Sequence, residues 1–398
     1  MVNVHSRALD KTIEISRIIR HIKGQKDGPT LIFAGGIHGN EPAGVFALKT
    51  VLTELDPAMV HGNIYALAGN LTALAKGIRY HKTDLNRLWT DKQIAALNGS
   101  AEELPSQDQK EQHAIYQIIR DIITTEKGPF YFFDIHTTSS ETLPFLTVND
   151  SLLNRYFTSQ YPLPIILGIE EYLDGPLLSY VNKLGYVAFG FEAGQHDDMA
   201  SIENSIAFIY LSLSFTECVD KNEINYQKYH DLLAKTAGDE KHIYEIVSRY
   251  AIKQGEQFKM EPGFLNFQRI QKSQVLASVN GSPIVAPVSG RIFMPLYQDQ
   301  GVDGFFTIKK IWKPFLRVSE FIRKYRLDRF LVWMPGVSWM DKNRSGILVN
   351  KKVARFFTRD IFHLFGYRSR QAEHNHYRMY NRESQAQHHM YLSAIWNN

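Results

Sequence analysis

The stretch that decides the fold is Leu31-Ile32-Phe33-Ala34-Gly35-Gly36-Ile37-His38-Gly39-Asn40-Glu41. Apolar, β-prone residues run into two glycines, and a histidine and a glutamate follow in a His-x-x-Glu spacing. Pro42 suits the first turn of a helix, and apolar residues then recur at helical spacing. The pattern predicts a buried strand over 30–37, a tight turn and a helix over 42–55. His38 and Glu41 would then lie at the carboxyl end of a strand, where open α/β sheets bind their ligands.

Strand and helix patterns alternate along the chain after this stretch. Apolar runs over 63–68, 130–135 and 186–191 are typical of buried strands, and helical spacing is clear over 109–125 and 201–215. His136 directly follows the second of these strands, and Glu192 follows the third. The alternation predicts an α/β domain with a mixed, largely parallel sheet flanked by helices.

The pattern changes twice further along the chain. Residues 239–312 contain short β-like runs broken by glycines, which predicts a small β domain that shapes the pocket. After Lys313 apolar and aromatic residues return to helical spacing, which predicts a helical C-terminal extension. A chain of 398 residues is long for a single core. We therefore expect a first, catalytic domain over 1–238, the small β domain over 239–312 and the extension over 313–398.

Composition is that of a globular protein and excludes some classes of site. The chain is 44% hydrophobic and 22% charged. Its single cysteine, Cys218, excludes an intramolecular disulfide framework and a cysteine-rich metal site. No apolar run approaches the ~20 residues of a membrane span, and the first residues do not resemble a secretory signal. We therefore expect a cytoplasmic protein.

The extension is strongly basic. Residues 313–398 carry 16 Lys and Arg against 6 Asp and Glu, a balance of +10, whereas the whole chain carries +4. Four of the five tryptophans lie between Trp312 and Trp396. Basic helices with tryptophan can lie on anionic membranes, and basic patches can bind phosphates. We rank both below packing of the aromatic faces on the enzyme or on a second subunit, as in a homo-oligomer, and we expect no nucleic-acid partner.

The residues at the strand ends form a candidate metal site. Zinc in hydrolytic sites commonly takes two histidines and a glutamate and leaves a fourth position for water. His38, Glu41 and His136 supply that set, which predicts one Zn²⁺ ion per chain. Bound zinc lowers the pKa of water to roughly 7, and a second carboxylate must then take the proton. Glu192 stands at the end of a strand for this role.

Each of these residues also has an ordinary structural interpretation. A lone His-x-x-Glu often marks only the start of a helix, and His136 can be a buried histidine with a hydrogen-bond partner. Glu192 can be a helix cap or a surface charge. Arg79 and Arg87, taken alone, are more typical of a solvated loop. The joint position of His38, His136 and Glu192 at the ends of predicted strands favours the metal site.

Four motifs occur in order along the chain: Gly35-Gly36-Ile37-His38-Gly39-Asn40-Glu41, Asp84-Leu85-Asn86-Arg87, Asp134-Ile135-His136-Thr137-Thr138-Ser139 and Phe191-Glu192-Ala193-Gly194. Together they resemble the succinylglutamate desuccinylase/aspartoacylase family, which is related to the zinc carboxypeptidases. The resemblance covers residues 28–215 well and the following β region loosely. It implies a zinc carboxypeptidase-like fold.

The resemblance implies zinc on the three ligands named above and the general-base role for Glu192. Arg79 would stabilise the oxyanion of the reaction. Asn86 and Arg87 would bind a carboxylate of the substrate. Asp84 would orient the imidazole of the first metal ligand.

Two departures from the family pattern bear on the substrate. Aspartoacylases carry another carboxylate-binding arginine shortly before the catalytic glutamate, whereas this chain has only Lys183 between Arg155 and Glu192. They also use a tyrosine from the C-terminal domain, where this chain reads Gly304-Phe305-Phe306. Both departures weaken the case for a doubly acidic substrate.

We therefore expect a zinc-dependent amidohydrolase that removes the acyl group from an N-acyl amino acid or a related acylated amine, a small-molecule substrate. A metallocarboxypeptidase that releases a C-terminal residue would use the same residues and stays open. A non-catalytic metal-binding or membrane-associated protein is the alternative from a different class.

Overall fold

The fold is that of a computed structural model, which describes residues 1–98, 104–342, 344–350, 353, 359–370 and 376–397. Its strands are β1 (Val2–Ser6), β2 (Lys11–Ile15), β3 (Ile18–Lys23), β4 (Lys26–Gly35), β5 (His61–Ala68), β6 (Phe130–Thr138), β7 (Phe145–Val148), β8 (Ile165–Leu167), β9 (Val187–Gln195), β10 (Ile243–Ala251), β11 (Phe258–Met260), β12 (Arg269–Ile270), β13 (Val275–Val279), β14 (Ser282–Val285), β15 (Gly290–Phe293), β16 (Asp303–Lys310), β17 (Val337–Trp339), β18 (Gly346–Asn350), β19 (Tyr367–Arg370) and β20 (His376–Asn381). Its α-helices are α1 (Ala43–Glu54), α2 (Leu71–Leu74), α3 (Asp91–Ala95), α4 (Gln107–Thr125), α5 (Leu152–Thr158), α6 (Leu177–Lys183), α7 (Met199–Phe215), α8 (Tyr226–Ala237), α9 (Lys313–Lys324) and α10 (Arg359–Leu364). Among these described helices none has the length and apolar character to cross a membrane.

One large mixed sheet forms the centre of the molecule. Its strand order is β12-β15-β16-β10-β8-β7-β9-β6-β4-β5-β3. The neighbours β9, β6, β4 and β5 form a parallel block. The strands at both edges pair antiparallel with their neighbours. The predicted α/β fold, with a mixed sheet flanked by helices, is confirmed.

Strand β4 is covered on both faces. Leu31 and Phe33 belong to the core that includes residues of α1 and α7, whereas Ile32 and Ala34 belong to the core that includes residues of α4 and α6. Alternate residues of a strand point to opposite faces, so a strand buried on both sides is apolar throughout. Burying each large apolar side chain contributes about 1.5–3 kcal/mol, which fixes β4 in the middle of the sheet.

Two glycines shape the turn after β4. Gly36 has a φ of +72°, a conformation that side chains with a Cβ rarely adopt. Gly39 packs so closely against Ala73 that a Cβ there would overlap the Ala73 backbone. Helix α1 then begins at Ala43 with Pro42 as its N-cap residue, close to the predicted start. The tight turn therefore holds the His-x-x-Glu segment at the end of the strand.

Residues 239–312 continue the central sheet. Strands β10, β12, β15 and β16 join it, and β10 pairs in parallel with β8. Strands β11, β13 and β14 form a separate three-stranded sheet. The division of the chain at residues 238 and 312 stays a prediction, and the sheet runs continuously across the first of these boundaries.

The C-terminal extension is mixed rather than wholly helical. Helix α9 agrees with the helical spacing, but β17, β18, β20 and β19 form a four-stranded antiparallel sheet that the sequence analysis missed. Ile347 and Val349 are two residues apart and both buried, which is the period of a strand. Residues 351–352, 354–358 and 371–375 of the predicted helical extension lie outside the described residues.

Arg323 fastens α9 to the rest of the molecule. Its guanidinium donates to the carboxylate and the carbonyl oxygen of Asp150, at 3.2 and 2.7 Å, and to the carboxylate of Glu383. The Arg323 side chain is fully buried. Burial alone would raise the pKa of Glu383, but Arg323 lowers it to about 2. Removing a member of such a buried network leaves an uncompensated charge in a region of low dielectric.

We expect Arg323→Lys to lower the free energy of unfolding by roughly 3 kcal/mol, because an ammonium cannot reproduce the fork of the guanidinium toward two carboxylates. The matched control is Arg329→Lys, whose side chain is exposed, and we expect a change within about 0.5 kcal/mol there. Urea denaturation at neutral pH measures both. Equal stability of the two variants would contradict the role given to the network.

Candidate metal and active site

The carboxyl ends of β4, β6 and β9 meet at one edge of the sheet. In the register of this parallel block, Gly35 lies opposite Ile135, and His136 lies opposite Glu192. The side chains of His38, Glu41, His136 and Glu192 are all buried and line one cavity of about 120 Å³. The structure thus brings together the four residues that the sequence analysis placed at strand ends, although their roles stay predictions.

The Glu41 carboxylate lies between two imidazoles. Its Oε1 atom is 2.8 Å from His38 Nδ1, and its Oε2 atom is 3.0 Å from His136 Nδ1. One ligand atom from each of the three side chains lies within 4.8 Å of the other two. Imidazole nitrogen and carboxylate oxygen are donors that divalent metal ions accept. These three buried residues can therefore hold a metal ion.

Each imidazole is held on its far side by an aspartate. His38 Nε2 lies 3.1 Å from Asp84 Oδ1, and His136 Nε2 lies 2.7 Å from Asp134 Oδ2. Such pairing fixes the ring and leaves Nδ1 to the metal. Asp84 was expected in this position, but Asp134 was not singled out. The available signal was its spacing, because residues i and i+2 of a strand point to the same face.

Buried negative charge supports a cation at this place. Four carboxylates, each at most 8% exposed, surround the site: Glu41, Asp84, Asp134 and Glu192. Burial alone would lower the pKa of His136, but Asp134 and Glu41 raise it well above its ordinary range. A surrounding that stabilises a proton on the imidazole also stabilises a metal cation in its place. The donor set and its charge therefore fit a divalent cation.

Glu192 lies beside the three candidate metal ligands, and one of its carboxylate oxygens has no hydrogen-bond partner among the described residues. Its Oε2 atom is buried and makes no hydrogen bond with the residues that the structure describes. Burial raises the pKa of Glu192 to about 8, although His136 lowers it. A divalent cation bound next to it would add positive charge and lower this pKa. A carboxylate with a free oxygen in a small cavity is suited to take up and release a proton.

Arg79 lies along the same carboxylates. Its Nη1 atom donates to Glu41 Oε1 at 3.1 Å, and its Nη2 atom is 3.5 Å from Asp84 Oδ2. Its Nε–H is buried and has no partner among the described residues. Arg79 lines the cavity together with Glu192. The guanidinium therefore offers positive charge on the wall where a reacting group would bind.

Arg87 already has a carboxylate partner. Asp303 at the start of β16 accepts hydrogen bonds from Arg87 at 2.8 Å and from Arg249 at 2.6 Å. Arg87 and Asp303 line the cavity, whereas Arg249 does not and also donates to the carbonyl oxygen of Tyr172. Asn86 also lines the cavity, and its Oδ1 atom accepts from the backbone N–H of Leu177 at 2.9 Å. The sequence analysis missed Asp303, because a contact between residues 216 positions apart leaves no local pattern.

The two departures from the family pattern, at Phe305-Phe306 and at Lys183, lie in different parts of the structure. Phe306 lines the cavity, whereas Phe305 is buried in the apolar core of residues 250–305. Lys183 forms an ion pair with Asp91 and does not line this cavity. Neither position supplies a second cationic or phenolic group to the site.

His196 is a further histidine close to the metal ligands. Its Nδ1 atom lies 2.7 Å from Thr137 Oγ1, and its Nε2 atom lies 3.3 Å from Gln298 Oε1. Thr137 in turn donates its backbone N–H to Glu41 at 3.1 Å. The sequence analysis did not single out His196. Because both ring nitrogens are engaged, this residue supports the segment that carries the ligands.

Comparison with known proteins identifies the domain that holds this site. Residues 27–202 match the family model of the succinylglutamate desuccinylase/aspartoacylase catalytic domain. Residues 27–202 therefore resemble the catalytic domain of this family. The resemblance drawn from the four motifs is confirmed, and all four lie within the matched residues.

Solved structures of other proteins share the fold of this chain. The protein from Rhodobacter sphaeroides matches with a TM-score of 0.55 at 16% identity, over 73% of this chain and 88% of that chain. The succinylglutamate desuccinylase from Vibrio cholerae matches with 0.53 at 13%, over 77% and 94%. The product-bound ectoine utilization protein EutE (DoeB) from Ruegeria pomeroyi matches with 0.52 at 17%, over 73% and 87%. At sequence identities of 13–17%, these matches show a similarity of fold only.

We expect Asp134→Asn to weaken metal binding by about 10–100-fold, because the amide no longer holds His136 with a charged partner. Competition with a chromogenic chelator, using zinc as the probe, measures the affinity. The matched control is Asp121→Asn on the exposed side of α4, which should bind zinc as the unmodified protein does. Thermal unfolding of the metal-free variants separates lost affinity from lost folding. An unchanged affinity in a folded Asp134→Asn protein would show that the aspartate does not support a ligand.

Proposed function

We propose that the chain is a zinc-dependent amidohydrolase that cleaves the amide bond of an N-acyl amino acid or a related acylated amine. One observation carries the proposal: the Glu41 carboxylate lies between two braced imidazoles, and a free oxygen of Glu192 faces the same cavity. The family name supports the reaction class, because it joins a desuccinylase with an acylase. The donor set of two imidazoles and a carboxylate is a standard one for catalytic zinc, with one ion per chain. When bound, zinc lowers the pKa of water and polarises a carbonyl oxygen.

Glu192 handles the proton in the proposed reaction. Its free Oε2 takes a proton from the attacking water while a C–O bond forms at the amide carbon. The same carboxyl group then gives the proton to the nitrogen as the C–N bond breaks, which yields a carboxylate and an amine. A group whose pKa lies near the working pH can act in both directions. The burial that raises the pKa of Glu192 supports this role.

Arg79 stabilises the negative charge that develops on the carbonyl oxygen. Its guanidinium is held in place by Glu41 and Asp84, so it need not reorganise when the charge appears. Its unpartnered Nε–H is a donor that the resting site leaves unused. An arginine fixed by two carboxylates at the wall of a small cavity suits an oxyanion better than a mobile side chain.

Arg87 and Asn86 bind the carboxylate of the amino-acid part of the substrate. Arg87 shares Asp303 with Arg249, so Asp303 does not depend on Arg87 alone, and the Nε–H of Arg87 has no partner among the described residues. Phe306 lines the cavity but carries no charge, and Lys183 does not line it, so neither residue offers a cation for a second carboxylate. The small cavity, about 120 Å³ and bounded by Met294, Leu296 and Phe306, favours a small molecule over a polypeptide end.

We expect Glu192→Gln to lower kcat by about 10²–10⁴, because glutamine keeps the shape of the side chain but cannot carry the proton. The variant should retain its zinc, which is measured by atomic emission on the purified protein. Hydrolysis is followed by release of free amine from a panel of N-acyl amino acids. Glu203→Gln, an exposed carboxylate on α7, is the matched control and should keep full activity.

The same panel distinguishes the competing functions. Peptides with free C-termini serve as substrates for a metallocarboxypeptidase, and their selective cleavage would contradict the acylase proposal. Zinc-loaded protein that cleaves no member of the panel would favour a non-catalytic protein. Retained hydrolysis in Glu192→Gln at normal zinc content would exclude the proposed proton path.

We expect Arg87→Gln to raise KM for N-acyl amino acids by about tenfold or more, while kcat changes much less, since the guanidinium binds a part of the substrate that does not react. The matched comparison uses the same acyl amines with the carboxylate replaced by a neutral amide. Their KM should be similar in the variant and the unmodified protein. An equal increase for both substrate series would mean that Arg87 acts through Asp303 on the structure of the site.

A further inference from the structure

Helix α9 presents its apolar face to solvent. Phe315, Val318, Phe321 and Tyr325 recur at helical spacing and are 48%, 48%, 56% and 58% exposed. Trp312, which precedes the helix, is 77% exposed. Helices of globular proteins ordinarily turn such a stripe toward the core. We expected the aromatic faces to pack on the enzyme or on a second subunit, and here the described residues of the chain leave this stripe uncovered.

The opposite face of α9 explains this orientation. Ser319 and Arg323 are buried, and Ser319 donates to the carbonyl oxygen of Leu364 at 2.9 Å. Arg323 is held by Asp150 and Glu383. The helix is therefore attached by these polar contacts and by Leu316, which packs against the main apolar core, and its aromatic stripe points away from the molecule.

The exposed charges around this stripe are all positive. Between Trp312 and Trp333 the exposed charged residues are Lys313, Arg317, Lys324, Arg326 and Arg329. The two carboxylates of this segment are not exposed: the half-buried Glu320 accepts from the Tyr156 hydroxyl at 2.9 Å, and Asp328 is buried, accepts from Tyr367 at 2.8 Å and lies 3.6 Å from Arg326, its ion-pair partner. Trp333, at the end of the segment, is 79% exposed.

We propose that the apolar face of α9, with the exposed basic residues of the same segment, docks onto the surface of an anionic phospholipid bilayer. Aromatic side chains suit the headgroup boundary, where their rings meet acyl chains and their polar edges meet water. Lysine and arginine around the helix complement the negative surface of such a membrane. The enzyme would then be peripheral, held by a helix that lies in the plane of the interface.

Charge decides between a membrane and a second copy of the chain. In a two-fold symmetric pair through α9, the exposed cations of each segment would face the same cations of the other copy, which is repulsive. An anionic lipid surface instead attracts all five. The proposal does not depend on the hydrolytic activity, so the two can fail separately.

The test is flotation of the full-length protein with phosphatidylcholine vesicles that either contain or lack phosphatidylglycerol. We expect binding only to the anionic vesicles, weakened by added salt. Val318→Ser/Phe321→Ser should lower the partition coefficient about tenfold or more, whereas the matched pair Leu265→Ser/Val285→Ser, with 47% and 45% exposed side chains, should not. Each cation that is removed should lower the partition coefficient about fivefold, so Lys313→Gln/Arg317→Gln/Lys324→Gln should lower it about a hundredfold. The charge-matched control is Lys253→Gln/Lys259→Gln/Lys272→Gln, which lies in the β-rich region.

Fluorescence gives a second measurement on the same samples. Trp312 should shift its emission to shorter wavelength on anionic vesicles, and Trp312→Phe should reduce that shift. The proposal is overturned if the unmodified protein stays unbound, if it binds neutral vesicles equally well, or if the α9 variants match their controls. It is also overturned if lipid-free protein is a dimer that Val318→Ser/Phe321→Ser dissociates while vesicles remain unbound.

Discussion

The site depends on one buried carboxylate shared by two imidazoles. Burial would raise the pKa of Glu41, but His38 and His136 hold it well below its ordinary range. The backbone N–H of Thr137 adds a hydrogen bond to the same oxygen that faces His136. A charge buried in this way is stable only while all its partners stay in place. The buried Glu41 carboxylate can therefore stay ionised only in the observed register of β4 against β6, and its contacts with both imidazoles in turn stabilise that register.

Two parts of the sheet supply the two sides of the cavity. The parallel block brings the ligands and Glu192 together, because parallel strands end at the same edge. The antiparallel strands of residues 243–310 supply Asp303 and Phe306 on the other side. The candidate metal ligands and Glu192 thus lie within residues 27–202, whereas the opposite wall of the cavity is built partly by residues beyond that match. In the proposed reaction, variation in the second part would change the substrate without disturbing the candidate metal site.

Local patterns in the sequence predicted the elements that carry the site. The glycines after β4 and the apolar runs before His136 and Glu192 indicate strand ends, since those features depend on neighbouring residues alone. The partner of Arg87 and the sheet of β17 to β20 depend on contacts between distant segments, which no local pattern records. Asp134 is an intermediate case. Its spacing of two residues from His136 is visible in the sequence, but the two side chains point to the same face only if both residues belong to one strand. Burial of individual faces was least predictable, as α9 demonstrates.

Arg323 explains why a helix with an ordinary amphipathic sequence ends up inverted. Its guanidinium pairs with Asp150 and Glu383. Asp150 also pairs with Arg155 and Arg382, and Glu383 also accepts from the backbone N–H of Leu152, so the helix is fastened to a larger polar network. Rotating α9 by 180° about its axis would turn Phe315 and Phe321 inward but would remove the Arg323 guanidinium from both carboxylates, and breaking a buried ion pair costs about 3–5 kcal/mol. The polar network therefore fixes the orientation of α9, and the exposure of its apolar stripe follows from that orientation. The exposed charged residues between Trp312 and Trp333 are all cations, so the stripe fits an anionic surface better than a neutral one.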